Sequence, residues 1–175
     1  MTTPQIILWA GAAVLLFWAI GAYNRLVRLR GAIVRQFVPV ESQLTKRQGL
    51  LAQQLDALAP VLLNATPRLD ALRAACQQCS AACSHAKVRP GAVGAITSLR
   101  LADEILGDAR ARLPVQTLTG VDLSALNAQL AAADTTLAFA RQQFNAAVIE
   151  YNDAVRQFPT LLIVGLFGFR AAGTF

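Results

Sequence analysis

The chain has 175 residues, with 55% hydrophobic and 15% charged side chains and a net charge of +6 at pH 7. This length fits one domain plus an anchor, and the dominance of alanine and leucine over β-branched clusters argues against a strand-based fold. A basic balance fits nucleic acid, anionic lipid or the cytoplasmic face of a membrane protein. The positions of the charges have to decide between these partners.

The first element is an apolar run from Ile6 to Ala22 that contains no charged side chain. Its seventeen residues are at the short end of what spans a bilayer core about 30 Å thick. A cleaved signal peptide is the alternative, because Ala19 to Gly21 resembles a small-residue cleavage site. Signal peptides carry basic residues before the apolar run, and here none precedes it. We therefore predict a retained transmembrane anchor over residues 1–24.

Basic residues follow the anchor at positions 25, 28, 30 and 35. By the positive-inside rule they place the N-terminus outside and the rest of the chain in the cytoplasm. These arginines either form a solvated face with snorkelling side chains or contact anionic headgroups, at roughly 1 kcal/mol each. We take these side chains as candidates for the membrane interface: the interfacial aromatic Tyr23, Arg25, Arg28 and Arg35.

The anchor continues into a helix that has no clear stop until about Leu63. Pro39 lies inside this helix. A proline there removes a hydrogen bond and costs about 3 kcal/mol, which predicts a kink or a break with a new start at Val40. Apolar residues recur at intervals of three, four and seven, which is typical of one buried helical face. They are Leu26, Leu29, Ile33, Phe37, Val40, Leu44, Leu51, Leu55, Leu58 and Leu62.

Two shorter helices are predicted in the middle of the chain. Thr66 and Pro67 form a good start for the first, which runs to about Ala86. A loop follows over Val88–Gly94, and then a second helix over Ala95–Leu113. Their expected core positions are Leu69, Leu72, Cys76, Cys79 and Cys83, and then Ile96, Leu99, Ile105, Leu106 and Ala109. The acids of the second helix are expected to be solvated partners of its arginines: Asp103, Glu104 and Asp108 with Arg100, Arg110 and Arg112.

The three cysteines, Cys76, Cys79 and Cys83, lie together on one predicted helix. Free cysteine commonly behaves as a small buried hydrophobe, and an odd, closely spaced set does not suit a disulfide framework. With His85 they suggest a zinc site, but four ligands on about ten consecutive helical residues cannot surround one ion. We expect packing residues in a reducing compartment and no metal site.

The sequence contains no recognisable catalytic motif. His85 is the single histidine and has no paired acid pattern or elbow motif beside it, so we expect a partly exposed side chain at a helix end. The phosphate-binding loop and the dinucleotide-binding glycine motif are both missing from the sequence. The basic residues are not clustered with aromatics, as nucleic-acid binding requires. We expect no enzymatic activity, no cofactor, no nucleic-acid partner and no small-molecule substrate.

The longest uninterrupted stripe covers Leu123–Phe158. After a loop over Pro114–Val121, Asp122 is expected to cap this helix, and Pro159 is expected to end it. Its steps alternate between four and three residues, which is typical of a helix buried along its whole length. The apolar positions are Leu126, Leu130, Ala133, Leu137, Ala140, Phe144, Val148, Tyr151, Val155 and Phe158.

The tail, residues 159–175, begins with an apolar stretch over Thr160–Phe169. Ten residues are too few to span a bilayer, so two placements remain open. The stretch can fold back on the base of the bundle beside Phe37 or Val40, or it can insert into the membrane interface. Phe167 and Phe169 are the candidates for a membrane or partner contact.

Several short motifs resemble those of the LemA family. The matching segments are Tyr23–Arg30, Gln43–Arg47, Ala140–Asn145, Tyr151–Val155, Phe158-Pro159 and Gly168-Phe169. We take as family-motif residues Tyr23, Asn24, Leu26, Tyr151, Asn152, Val155, Phe158 and Pro159. The resemblance implies a membrane-associated bacterial protein, and one branch of the family takes part in forming magnetosome membranes.

Taken together, we predict an all-α protein in which a transmembrane helix continues into a cytoplasmic up-and-down antiparallel bundle. About four helices are expected, two of them long, with a LemA-like bundle over residues 25–158. The expected location is the cell inner membrane, with a single pass. The expected function is a scaffold that self-associates as a homo-oligomer and organises or shapes the membrane; the small residues Gly11, Ala12, Gly21 and Ala22 of the anchor favour lateral contacts. The stripes of the long helices are typical of a coiled coil within the chain. The alternative is a non-catalytic accessory subunit of a larger membrane complex.

Overall fold

The computed structural model describes residues 3–60, 66–113, 123–158 and 160–175. These ranges contain five helices and no strand, which confirms the predicted all-α class. The helices are α1 (Thr3–Leu58), α2 (Thr66–Val88), α3 (Val93–Ala111), α4 (Ser124–Arg156) and α5 (Thr160–Phe167). Two of them are long, as predicted, and the fifth is a short helix in the tail.

A single helix, α1, joins the apolar N-terminal segment to the bundle. Pro39 lies inside it, so a break at Val40 is wrong. The proline removes one main-chain hydrogen bond, but the side chains around it, Phe37 and Val40, are buried in the core and hold the helix in place. From Ile7 onward α1 is long and apolar enough to cross a membrane, and its most apolar window is not buried within the protein.

The core forms mainly where α4 packs along α1. The two predicted stripes face each other there, and the rings of Phe37 and Phe144 meet edge to face with centroids 5.8 Å apart. Leu126 is only half-buried. Phe158 is 81% exposed, so its predicted core position is wrong, because α4 ends at Arg156 and the chain turns away from the core. Leu62 and the predicted cap Asp122 lie outside the described residues, and Leu123 occupies the N-cap position of α4.

The two middle helices, α2 and α3, pack against each other, and α2 also packs against α1. Their bounds lie within two residues of the predicted ones. Leu69, Leu72, Cys79 and Cys83 are buried as expected, and Cys76 is half-buried. On α3, Ile105 is 37% exposed, so its predicted core position is wrong. Ala102, which the stripe omitted, is buried instead.

The chain reverses direction after α5. Gly168 has φ 66°, a left-handed conformation at a helix C-terminus that glycine adopts without steric cost. The last residues then return along the bundle beside α4 and the α2–α3 turn. We call residues 169–175 the terminal segment.

Candidate functional site

Aromatic residues from both ends of the chain meet at one end of the bundle. We call this end, which is nearest to the apolar segment of α1, the base. The ring of Tyr23 on α1 lies 5.0 Å from that of Phe167 and 5.8 Å from that of Phe169, measured between centroids. These separations suit tilted and edge-to-face aromatic contacts. The structure therefore brings together the three aromatic side chains that the sequence assigned to the membrane interface. The aromatic side chains of the tail contact α1 at Tyr23, which is nearer the N-terminus than the predicted positions beside Phe37 or Val40.

The short helix α5 folds back on the bundle, which is one of the two placements that the sequence left open, and insertion into the membrane stays a prediction. It packs on α1 and α4 through Thr160 and Ile163, which are both buried. Its other apolar side chains face outward: Leu161, Leu162, Leu166 and Phe167 are 53% to 81% exposed. A helix with one packed side and one exposed apolar side suits the boundary between a protein base and a lipid surface.

The three arginines assigned to the interface lie on other sides of α1. Arg25 reaches the end of α4, where its Nη1 donates a hydrogen bond to Oε1 of Gln157 over 3.4 Å. Arg28 and Arg35 are exposed and, at about 100° of helical rotation per residue, point away from Tyr23. These three arginines therefore lie apart from the aromatic contact between Tyr23 and the tail.

Side chains of α4 hold the terminal segment in place, an arrangement we call the asparagine clamp. Asn152 exchanges two hydrogen bonds with the main chain of Ala172, donating from Nδ2 over 2.9 Å and accepting at Oδ1 over 2.8 Å. Asn145 does the same with Phe175, over 2.6 and 2.7 Å. The hydroxyl of Tyr151 donates to the main-chain oxygen of Arg170 over 3.0 Å.

The spacing of the clamp follows from the geometry of its two parts. Asn145 and Asn152 are seven residues apart, or about 10.5 Å along a helix. Ala172 and Phe175 are three residues apart, or about 10 Å along an extended chain. The two asparagines thus match the rise of an extended segment running antiparallel to α4. The guanidinium of Arg141 stacks over the ring of Phe175, 4.2 Å from its centroid, and secures the far end.

The family-motif residues divide into structural and exposed groups. Leu26 and Val155 are core residues, and Tyr151 and Asn152 belong to the clamp. Asn24 and Phe158 are exposed, and Pro159 lies outside the described residues. Asn145, which stood in the motif but not among the predicted site residues, has the same clamping role as Asn152.

A cleft of about 730 Å³ lies beside the terminal segment. Its walls are α1 around Arg30 and Ile33, the α2–α3 turn over residues 88–93, Tyr151 of α4, and residues 168 and 170–172. Arg30, Arg89 and Arg170 line it, and no acidic side chain does among the residues that the structure describes. We call it the basic cleft. This cleft was not predicted, because its arginines come from three distant segments of the chain and form no local motif.

A second charged region, the polar layer, crosses the middle of the bundle. Asp103 of α3 accepts hydrogen bonds from Arg47 of α1 and Arg141 of α4. Asp134 of α4 accepts from Arg110 over 2.6 Å and from Arg47 over 3.5 Å. Asp103 was expected to be a solvated acid, but only 11% of its side chain is exposed. The correction has a tertiary cause, since both of its partners lie on other helices.

The ionisation of the polar layer reflects burial and pairing. Burial lowers the pKa of the Arg47 guanidinium, but the carboxylates of Asp103 and Asp134 outweigh it, and the pKa lies above its ordinary value. Burial also raises the pKa of the thiols of Cys76 and Cys79, and that of Cys83 to about 11. Protonated thiols are expected of cysteines that act as packing residues. Within the described ranges no group of three or more metal-ligating side chains is found.

Fold and base together define a class of protein: a helical bundle with one N-terminal helix that is long and apolar enough to cross a membrane. Residues 119–175 match the family model of the LemA family, which confirms the resemblance over α4, α5 and the terminal segment. No curated protein and no solved structure matches the chain. The matched region contains the whole asparagine clamp, so part of the family signature has a structural explanation.

Proposed function

We propose that the protein is a membrane-anchored helical scaffold that self-associates and organises the membrane around it. The observation that carries the proposal is the continuity of α1, which leaves the apolar segment and enters the bundle without a break. A rigid connection transmits any contact between anchors directly to the bundles above. The LemA family is not a known enzyme family, and we propose no catalytic role.

Membrane attachment is supported by two neighbouring apolar surfaces. The side chains of the N-terminal part of α1 are exposed, with Trp9, Leu16 and Phe17 each more than 60% exposed. The outward face of α5 is joined to this surface through the contact between Tyr23 and Phe167. Both surfaces are unfavourable in water and favourable in lipid. We place the bundle in the cytoplasm because every basic residue of α1 follows the apolar run.

Self-association is supported by a second apolar stripe on α1, distinct from its core face. Val27, Val34 and Val38 are 46% to 59% exposed, and helical geometry aligns them with Leu16 and Ile20 of the apolar segment. The steps of seven from Ile20 to Val34 suit a coiled-coil contact between copies. In addition, a side chain added at Gly11 or Gly21 would meet no atom within 4 Å, so packing within one copy does not explain these glycines.

The decisive experiment measures the size of the full chain in a mild detergent. We expect a homogeneous homo-oligomer that dissociates in the double variant Val27→Asp with Val38→Asp. The matched control places the same charges on exposed apolar residues of α4, as Phe139→Asp with Ile149→Asp, and should leave the oligomer intact. Circular dichroism checks that both variants keep their helix content. A monomeric wild-type chain, both in detergent and on crosslinking in membranes, would overturn the scaffold proposal.

The alternative is a non-catalytic accessory subunit of a larger membrane complex. The exposed faces of α1 and α5 suit a foreign transmembrane helix as well as a second copy. Affinity purification from crosslinked membranes distinguishes the two, because a foreign subunit in fixed stoichiometry would favour the accessory role. The same membranes test topology: protease should cut the bundle in inside-out vesicles and leave it intact in right-side-out vesicles.

A further inference from the structure

We propose that the basic cleft is a binding site for a phosphate group. Arg30, Arg89 and Arg170 line one concave surface, each contributed by a different segment of the chain. Within the described ranges none of the three has an acidic partner at salt-bridge distance. Guanidinium groups bind phosphate oxygens through paired, charge-assisted hydrogen bonds, and three of them around one cleft supply more donors than a single phosphate group accepts.

The cleft is formed by specific contacts, so the arginines are not scattered surface charges. The hydroxyl of Tyr151 fixes the main chain of Arg170. The N–H of Gly173 donates to the main-chain oxygen of Gly91 over 3.3 Å and ties the terminal segment to the α2–α3 turn, which carries Arg89. The asparagine clamp holds the same segment from the other side. A segment held from two sides fixes the main chain from which Arg170 projects beside Arg89, so the wall of the cleft exists before a ligand arrives and the entropic cost of binding falls.

Close packing at Gly173 shows how tightly this wall is built. A Cβ atom added there would lie 2.9 Å from Cα of Val93, a distance that the main chain has to relieve by moving. The substitution Gly173→Ala therefore displaces the wall of the cleft and leaves all three arginines in the chain. It tests whether binding depends on the shape of the cleft or on charge alone.

The size and lining of the cleft indicate the class of ligand. A volume of about 730 Å³ lies in the usual range for small-molecule sites. Ile33, Val34 and Val93 line the same cleft beside the arginines, so a phosphate ester with an apolar portion fits better than a bare anion. Arg30 is seven residues beyond Tyr23, which puts it about 10 Å above the base, near the expected depth of lipid headgroups. The shared chemistry is a phosphate ester, from a lipid headgroup or from a soluble molecule.

The test is binding of two probes to the full-length protein in a neutral detergent. Dihexanoyl phosphatidylglycerol and inorganic phosphate are titrated by calorimetry, with dihexanoyl glycerol as the probe that lacks phosphate. We expect saturable binding of at least one phosphate probe and none of dihexanoyl glycerol. Arg89→Gln should weaken binding roughly tenfold or more, since each lost charge-assisted hydrogen bond costs about that factor. Gly173→Ala should weaken it as well.

The matched control is Arg112→Gln. Arg112 has the same charge and is exposed, but it lies at the far end of α3 from Arg89 and does not line the basic cleft. It should leave affinity unchanged. Equal loss from Arg112→Gln and Arg30→Gln would show diffuse surface charge and overturn the proposal, as would the lack of saturable binding by either phosphate probe.

The two phosphate probes also identify the source of the ligand. Binding of the phospholipid that inorganic phosphate does not displace indicates a lipid headgroup, whereas tight binding of inorganic phosphate alone indicates a soluble phosphate compound. Either result supports a phosphate site. The inference goes beyond the scaffold proposal. The two share Val34, which lines the cleft and lies on the exposed stripe of α1, but their tests differ: the size of the oligomer tests the scaffold, and binding of the phosphate probes tests the site.

Discussion

The polar layer and the basic cleft contain the same kind of side chain in opposite circumstances. In the polar layer Arg47 and Arg141 share Asp103, and Arg110 pairs with Asp134. In the basic cleft Arg30, Arg89 and Arg170 line one concave surface, and none of the described lining residues is acidic. Paired charges inside a bundle fix the positions of helices relative to one another. Like charges on one concave surface repel one another and raise the local concentration of anions.

The distribution of acids explains the difference. The chain has 16 basic and ten acidic residues, and two of the acids are committed to the polar layer. Another, Glu41, binds Lys87 over 2.7 Å, between the layer and the cleft. The excess positive charge therefore collects near the base of the bundle, the end nearest to the apolar segment.

The largest effect is expected from Asp103→Ala in the polar layer. The substitution leaves two largely buried guanidinium groups without their shared carboxylate, which costs about 3–5 kcal/mol of unfolding free energy for buried pairs. Denaturant unfolding in detergent, followed by circular dichroism, measures it. Glu104→Ala is the control: its pair with Arg100 is exposed and 3.9 Å long, so at most about 0.5 kcal/mol is expected. Equal losses of unfolding free energy in Asp103→Ala and Glu104→Ala would contradict the structural role of the polar layer.

A smaller effect is expected from Asn152→Ala, which opens the wall of the basic cleft. Loss of both hydrogen bonds to Ala172 should cost about 1–3 kcal/mol. It should also speed hydrogen exchange at the main-chain amides of Ala172 and Phe175. Gln143→Ala replaces an exposed residue of the same helix and serves as the control. Unchanged exchange at Ala172 in the asparagine variant would argue against the clamp.

The dependence of the unfolding free energy on pH tests the burial of the Cys83 thiol. The pKa of Cys83 rises from 9.0 to about 11, chiefly through burial. The folded thiol thus keeps its proton while the unfolded one ionises, so its contribution is complete below pH 9 and is lost as pH rises from 9 to about 11. We expect a loss of order 1 kcal/mol, after allowance for solvent screening. Cys83→Ala should flatten the slope of unfolding free energy over that range, and an unchanged slope contradicts the burial of this thiol.

The smallest effect on stability is expected from Arg30→Gln in the basic cleft. Arg30 has no acidic partner among the described residues, and removing one of several like charges costs the fold nothing. The unfolding free energy should change by no more than about 0.5 kcal/mol, while binding of phosphate probes falls. The two measurements together separate the regions: a destabilisation as large as that of Asp103→Ala would make the cleft a structural element.

The sequence was informative where a pattern is local. Recurrence every three or four residues located the helices and most of the core, because amphipathic periodicity is a property of neighbours along one helix. The predicted core position of Phe158 was wrong, because α4 ends before this residue and its side chain is exposed. The predicted exposure of Asp103 was wrong, because its partners are 56 and 38 residues away in the sequence. The basic cleft could not be predicted, since it exists only where the chain folds back past Gly168. The residues of the clamp were visible in the sequence, because Asn145 and Asn152 lie in the motifs that resemble the LemA family. Their spacing indicates a clamp only once the path of the terminal segment is known.

The continuity of α1 has a mechanical consequence. From Tyr23 to Leu58 the helix rises about 53 Å. If its N-terminal part spans the bilayer, as proposed, a tilt of about 10° moves the far end of α1 by about 9 Å. A small change in the angle between the anchors of two copies would therefore become a large displacement between the far ends of their bundles.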